Sequence, residues 1–475
     1  MSRRPLAFAL AFALLPAAGV HAEDLLQTYE LARSGDPQFS AAESGRLATR
    51  EGAVQARAAM LPQIGADATI TRSRNEGPAT ETVRDPDTGE FQQFSGDIET
   101  DTTNRNIGIN LRQMVFDKAS FSRLGSQRAL ARASDFTVEA AGDDLITRTS
   151  AAYFNVLVAI ETLAAAEAQE TALKKQLDFA EKRLEVGLAP ITDVHEARAQ
   201  YEGARASVIL TRSALADAYQ ALAEITGQPV ADLQGLPDDF QPQLPEAGDA
   251  DAWVATALDT NPTLQAQREE VASAEADVET ARAGRWPTLY LNGSFGDSRT
   301  TGDTTFSSGA FSATNPIENE SRGPQVGITL NVPIFEGGAI SSRVRQAIAQ
   351  RDVRADQLEQ RRRAVERNTR NAYQTLVAGV SEVEARRLAL FAAQSAYEAS
   401  QVGFEVGTRT VIDVLLNQQT LFDAQRQYAL ARYNYLQNRL LLEQAAGTLD
   451  IADVQDVNRL LTADADAQLQ SPPPQ

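Results

Sequence analysis

The segment Glu185-Val186-Gly187-Leu188-Ala189-Pro190-Ile191-Thr192-Asp193-Val194 returns later in the chain as Glu405-Val406-Gly407-Thr408-Arg409-Thr410-Val411-Ile412-Asp413-Val414. The offset is 407 − 187 = 220, and the same 220 relates Tyr153 to Tyr373, Leu222 to Leu442 and Gly227 to Gly447. Upstream it becomes 225, for Pro37 and Pro262 (262 − 37) and for Pro62 and Pro287 (287 − 62). The change falls between Pro62 and Phe116, where loops absorb insertions. A period this long is not that of a solenoid. It reads as an internal duplication, each half following one plan of helix, two strands, a very long helix, a turn and a further helix.

In both copies the glycine sits where a helix must stop and reverse. Before the second turn, Leu376, Val383, Leu390, Tyr397 and Phe404 recur every seventh residue; before the first, Val156, Leu163, Leu177 and Leu184 hold the matching positions, interrupted by Glu170. That spacing predicts coiled-coil-like packing. No proline occurs between Asp117 and Leu188 or between Gly338 and Gly407, so each interval holds a helix of roughly 65 residues, about 100 Å at ~1.5 Å per residue. The run Arg361-Arg362-Arg363 reads as a solvated helix face.

Four short segments alternate with period two: Ile64, Ala66, Ala68 and Ile70; Ile107, Ile109 and Leu111; Leu289, Leu291 and Phe295; Val326, Ile328, Leu330 and Val332. Each predicts a strand with one apolar and one polar face. The stretches joining them in pairs, Ser73 to Thr102 and Ser298 to Arg322, are rich in Gly, Asp, Thr and Ser and read as exposed loops.

Composition excludes several classes. The 475 residues carry 64 acidic against 44 basic side chains, a formal net charge of -20, which with no compensating basic patch opposes a nucleic-acid partner. There is no cysteine, so disulfides, thiolate metal sites and a lipidated N-terminal cysteine are excluded. The mean hydropathy of -0.30 argues against a helical membrane protein and leaves a β-barrel open. Arg3 and Arg4, the apolar run Leu6 to Leu15 and Val20-His21-Ala22 predict a signal peptide over 1–22 and a mature chain from Glu23. His195 is then the one histidine left. Beside Asp193 and Glu196 it diverges around the helix axis, so the chain reads as no enzyme, with no catalytic, cofactor-binding or metal residues. No phosphate-binding loop with its lysine is present to power transport.

Strands with one apolar and one polar face after an export signal point to an outer-membrane barrel. Four strands cannot close one, and a sheet with open edges is forbidden in lipid, so the chain must oligomerise if they span the membrane. A purely structural periplasmic coiled-coil rod is the alternative reading, and it leaves the strands idle.

The duplicated plan, both turn motifs, Val332-Pro333-Ile334-Phe335-Glu336-Gly337-Gly338 and Ala431-Arg432-Tyr433-Asn434-Tyr435-Leu436 resemble the TolC family of outer-membrane efflux proteins over nearly the whole mature chain. The resemblance implies a mainly α fold with a membrane β-barrel. Each protomer of a homotrimer gives four strands to a 12-stranded barrel and four helical columns to a periplasmic α-barrel. It implies a first repeat over 23–226, with strands near 63–73 and 103–116, a long helix near 118–185 and a helix near 191–226. An equatorial linker follows over 227–250. The second repeat, 251–446, has strands near 288–297 and 324–334, a long helix near 338–404 and a helix near 411–446. An equatorial segment and disordered tail make up 447–475. The shorter helices, roughly Asp36 to Met60 with Ile191 to Thr226, and Asp251 to Gly284 with Val411 to Ala446, stack end to end as two of the columns.

By the same resemblance the protein is a passive exit duct of a tripartite efflux or type I secretion system in the outer membrane, with most of its chain in the periplasm. Val186, Gly187, Leu188, Val406, Gly407 and Thr408 become tips that contact a periplasmic adaptor and, through it, an inner-membrane transporter. Thr192, Asp193, Phe404 and Arg409 become a latch that links neighbouring helices. Phe404 stands where the family has a tyrosine, so one hydroxyl link is missing and a looser latch is expected. Asp413 becomes an acidic ring lining the aperture, and Leu416 stands where the family has a second one, so strong block by multivalent cations is not expected.

Overall fold

The computed structural model describes residues 24–84, 89–237, 239–244, 249–309 and 312–465. The expected signal peptide, Glu23 and the tail with Pro472, Pro473 and Pro474 lie outside the described residues. The elements are α1 (Leu25–Gly35), α2 (Pro37–Ala58), β1 (Gln63–Arg84), β2 (Phe91–Phe116), α3 (Lys118–Glu185), α4 (Ile191–Thr226), β3 (Gln234–Gly235), α5 (Ala250–Thr260) and α6 (Pro262–Ala283), followed by β4 (Thr288–Ser307), β5 (Ser312–Asn331), α7 (Ala339–Glu405), α8 (Val411–Ala446), α9 (Ile451–Asn458) and β6 (Ala463–Asp464). They fall into two units. One comprises the chain up to Gly45, Asp135–Ala266 and everything from Glu359; the other comprises Arg46–Ser134 and Gln267–Leu358.

Two expectations need correction. The helix expected as one piece near 251–284 is broken into α5 and α6, and α2 is preceded by a separate α1. Both breaks precede a proline, Pro37 or Pro262, whose ring disfavours helical geometry at the residue before it and which has no N–H to continue the ladder. Asp36 and Asn261 leave helical geometry there, with ψ of 116° and 119°. Their side chains then cap the next helix: Phe39 N–H donates to Asp36 Oδ2 at 3.0 Å, and Thr263 N–H to Asn261 Oδ1 at 3.1 Å.

The second correction concerns the sheet. Ser73 to Thr102 and Ser298 to Arg322, expected as loops, continue as strand for most of their length. The order is β1-β2-β4-β5, every pair antiparallel, and pairing persists to Arg84 with Phe91 and to Ser307 with Ser312. Apolar alternation ends earlier because both faces turn polar, while threonines, good strand formers, go on pairing across the ladder. Ser73 with Thr102 (3.0 Å) and Thr305 with Thr314 (2.9 Å) are examples. At the other end β5 stops at Asn331 rather than near 334.

Side-chain contacts sort the faces of this sheet. Asn106 with Ser298 and Asn292 with Thr329 share the polar face. The exposed Ile64, Ile70, Ile107, Ile109, Ile328 and Leu330 share the other, which is continued by the Arg72–Asp101 and Arg299–Glu318 ion pairs.

The first unit holds the principal core. Tyr153, Leu157 and Ile160 of α3, Leu222 of α4, Leu376 of α7 and Leu436 of α8 are almost fully buried in it. α3 also contains a stretch apolar enough to cross a membrane by composition, but 56% of it is buried inside the chain, as a core face is.

The linker after α4 has little regular structure, so its backbone polar groups need partners elsewhere. Tyrosines supply them. The Tyr153 hydroxyl donates to Gln234 O and accepts from Gln234 N–H, both at 2.9 Å. Tyr433 accepts from Leu236 N–H at 3.3 Å, and Tyr435 from Gln243 N–H at 3.0 Å. The ends of α4 and α8 abut the two helix breaks: a Cβ on Gly35 would meet Thr226 O at 2.3 Å, and one on Gly447 would meet Asn261 Cα at 2.5 Å.

Candidate functional site

Both turns are built by one device. Gly187 and Gly407 have φ of 73° and 81°, a left-handed geometry that costs glycine nothing. Leu188 N–H donates to Arg183 O at 2.7 Å and Gly187 N–H to Leu184 O at 3.0 Å; Thr408 N–H donates to Gly403 O at 2.7 Å and Gly407 N–H to Phe404 O at 3.0 Å. This double bond pattern is the Schellman ending, and it satisfies carbonyls that a helix terminus leaves open. It also turns the flanking side chains outward: Val186, Leu188 and Val406 are 67%, 69% and 69% exposed.

The helices leaving the turns start differently. Pro190 caps α4 without a side-chain bond. Thr410 and Asp413 form a capping box on α8: Asp413 N–H donates to Thr410 Oγ1 at 3.2 Å, and Thr410 N–H and hydroxyl both donate to Asp413 Oδ2 at 2.9 Å. Those bonds, the backbone one foremost, with the positive charge of Arg409 added, hold the Asp413 carboxyl below its usual range. Leu416, one turn further along α8, is exposed.

Of the four expected latch residues, Asp193, Phe404 and Arg409 line one cleft of about 820 Å³, and Thr192 does not. Thr192 Oγ1 lies 3.5 Å from Asp193 Oδ1. Among the described residues no ion pair joins Asp193 to Arg409 within the chain. Instead the stem of Arg409 covers Gly403, where a Cβ would meet Arg409 Cγ at 2.7 Å.

Two residues of the cleft escaped the sequence reading. Phe179 packs edge-on against Phe404, with ring centroids 5.8 Å apart and planes at 73°. The Arg183 guanidinium lies 5.8 Å from both rings and donates to Leu188 O at 3.3 Å. Arg183 stands in the last turn of α3, where any cation is favourable to a helix C-terminus. The one available signal was its register: 183 + 220 = 403 pairs it with Gly403 in the other half.

Long helices joined by matched turns and a four-stranded sheet with one apolar and one polar face define the outer-membrane channel class of fold. The solved structure of the CmeC outer membrane channel of Campylobacter jejuni superimposes with a TM-score of 0.70 at 18% identity, covering 92% of this chain and 90% of that one. The Outer membrane efflux protein family model matches residues 28–228 and again 253–448. Outer membrane protein TolC of Escherichia coli is 33% identical over 442 residues, 93% of this chain and 85% of that protein. Alkaline protease secretion protein AprF of Pseudomonas aeruginosa is 29% identical over 447 residues, 94% and 89% of the two chains. The chain belongs to the outer membrane efflux protein family. It is an outer-membrane efflux channel of TolC-like kind.

Proposed function

We propose that this chain is one third of a passive exit duct: a homotrimer whose four-stranded sheets close a 12-stranded barrel and whose helices continue it as a periplasmic tunnel. The observation that carries this reading is the sheet itself, with one apolar and one polar face and with β1 and β5 left as edges. Such edges leave backbone groups unsatisfied, which lipid does not tolerate, so copies of the chain must supply the missing partners. Two matches of one family model, offset by 253 − 28 = 225 at their starts and 448 − 228 = 220 at their ends, support the internal duplication.

The turns are the docking end. Val186, Gly187, Leu188, Val406, Gly407 and Thr408 meet a periplasmic adaptor, through which an inner-membrane pump supplies the energy. Thr192, Asp193, Phe404 and Arg409 link neighbouring helices and hold the inner coils shut, and Asp413 repeats as an acidic ring at the aperture. The duct itself performs no chemistry. A photo-crosslinking side chain at Leu188 or Thr408 in cells tests the docking end. The reading requires a covalent adduct with a periplasmic helical-hairpin protein, and adducts that form only from positions in α2 or α6 contradict it.

A further inference from the structure

The α3–α4 hairpin is tied internally near its turn. Leu177 and Ala180 of α3 bury against Val194 and Ala197 of α4, and Arg198 with Glu181 and Arg212 with Glu167 pair across it at 2.6 Å. Between that hairpin and α7–α8 the packing is different. Above the turns lies a cleft of about 550 Å³ where polar side chains, among them Lys175 and Gln176 of α3, Gln394 and Gln401 of α7 and Gln418 of α8, mix with Leu421 and Phe422 of α8. The buried Nε2 of Gln176 finds no hydrogen-bond partner there. The Tyr397 hydroxyl accepts from Gln401 at 2.7 Å and from Gln418 at 3.4 Å, both within the α7–α8 hairpin. A seam hollowed and partly polar in this way gives up some of the close packing that makes helices resist sliding.

On the turn side of the seam, three side chains bridge α3 and α7. Phe179 and Phe404 meet edge to face, and Arg183 spans both rings while its guanidinium also binds the Leu188 carbonyl inside the first turn. One cation thus ties together two helices and a turn. We propose that Arg183, with Phe179 and Phe404, is a clasp that keeps the two hairpins together at their turns, and that the resting pore conducts little in part because this clasp is closed. Arg183 and Phe179 are positioning residues: they touch no cargo and act by holding α7 against α3. The proposal rests on the exit-duct reading. It also gives Phe404 a function that needs no hydroxyl, since what the clasp uses is the face of the ring.

The loss of exposed cation–π contacts predicts a shift of roughly threefold or more toward the open form. The experiment is single-channel recording of the purified full-length protein in planar bilayers, with migration on unheated gels as the check on assembly. Arg183→Ala should raise mean conductance. Arg183→Lys, which keeps a cation but not the planar fork, should fall between Arg183→Ala and wild type. In a Phe404→Leu background, Arg183→Ala should add little, because the ring it clasps is already gone. Arg183→Ala protein that assembles normally and conducts like wild type overturns the clasp, as does full additivity with Phe404→Leu. If wild-type protein forms no pore at all, the exit-duct reading fails instead.

Discussion

Arg432 Nη2 donates to both carboxylate oxygens of Glu161 at 2.8 Å, joining α8 to α3 across 271 residues of sequence. Both side chains are largely buried, and Arg432 Nη1 also donates to Pro237 O at 3.2 Å while the Tyr433 hydroxyl donates to Glu161 Oε1 at 2.9 Å. The pair therefore fastens the linker after α4 to the helical core. Burial costs each ion its hydration, so removing one partner is worse than removing both. We expect Glu161→Ala to destabilise the protein by about 3 kcal/mol, and Glu161→Met with Arg432→Met to recover part of that loss. Heat-dissociation of the detergent-solubilised protein measures both.

The glycines that end α7 and α8, Gly407 and Gly447, should respond unequally to one methyl group. At Gly407 nothing lies within 4 Å of an added Cβ, so Gly407→Ala meets only the strain of its positive φ, about 1 to 2 kcal/mol. At Gly447 the same atom would lie 2.5 Å from Asn261 Cα, and the overpacking adds about 1 to 3 kcal/mol. Thermal unfolding of the two variants should rank Gly447→Ala well below Gly407→Ala; equal loss would contradict the account.

Asp143 on α3 is 8% exposed, and burial, with the neighbouring Glu139 charge second, pushes its carboxyl up to about 7. Between the ordinary carboxylate range and that value the folded chain holds a proton that the unfolded chain has released. The stability this group contributes is therefore complete below about pH 4 and lost as the pH rises through about 7. Asp143→Asn should raise the heat-dissociation temperature at pH 8 and change it little at pH 4. A variant equally affected at both would show that the buried charge does not matter.

Asp413 keeps its charge to lower pH than an ordinary carboxyl, because Thr410 donates to it twice. If it repeats as a ring at the aperture, cation selectivity measured from reversal potentials should fall in Asp413→Ala at neutral pH. Identical reversal potentials for wild type and variant mean that Asp413 does not face the bore.

How far the sequence reached depends on the range of the interaction that decides each element. The two turns were legible because a positive φ after a helix demands glycine, and Gly187 and Gly407 advertise it locally. The long helices were legible because seven-residue spacing of apolar residues repeats over many turns. Strand length was not, since beyond Ile70 and Ile107 both faces are polar and only the cross-strand ladder, a non-local contact, keeps the chain extended. Pro37 and Pro262 mark the repeat in the sequence, while the helix breaks before them show only in the fold. At the site, Arg409 stands in the repeated turn motif and Phe404 on the seven-residue spacing before it, but Phe179 and Arg183 carry no motif, and their contacts depend on a ring from another helix. The Glu161–Arg432 pair was invisible for the same reason.

Arg409 adds a prediction at the turns. Its stem packs on Gly403 and its charge reaches the helix start at Asp413. If Arg409 forms the proposed latch, its exposed ion pairs are weak, about 0 to 1 kcal/mol each, as suits a gate that a partner protein must open.

The decisive measurement is the conductance of the purified full-length protein in planar bilayers, wild type beside Arg409→Ser. Discrete pores are expected from material that runs as a heat-sensitive trimer, with the larger mean conductance in Arg409→Ser. Trimeric material that gives the same conductance in both would contradict a latch at these turns, and material that forms no pores would contradict the duct itself.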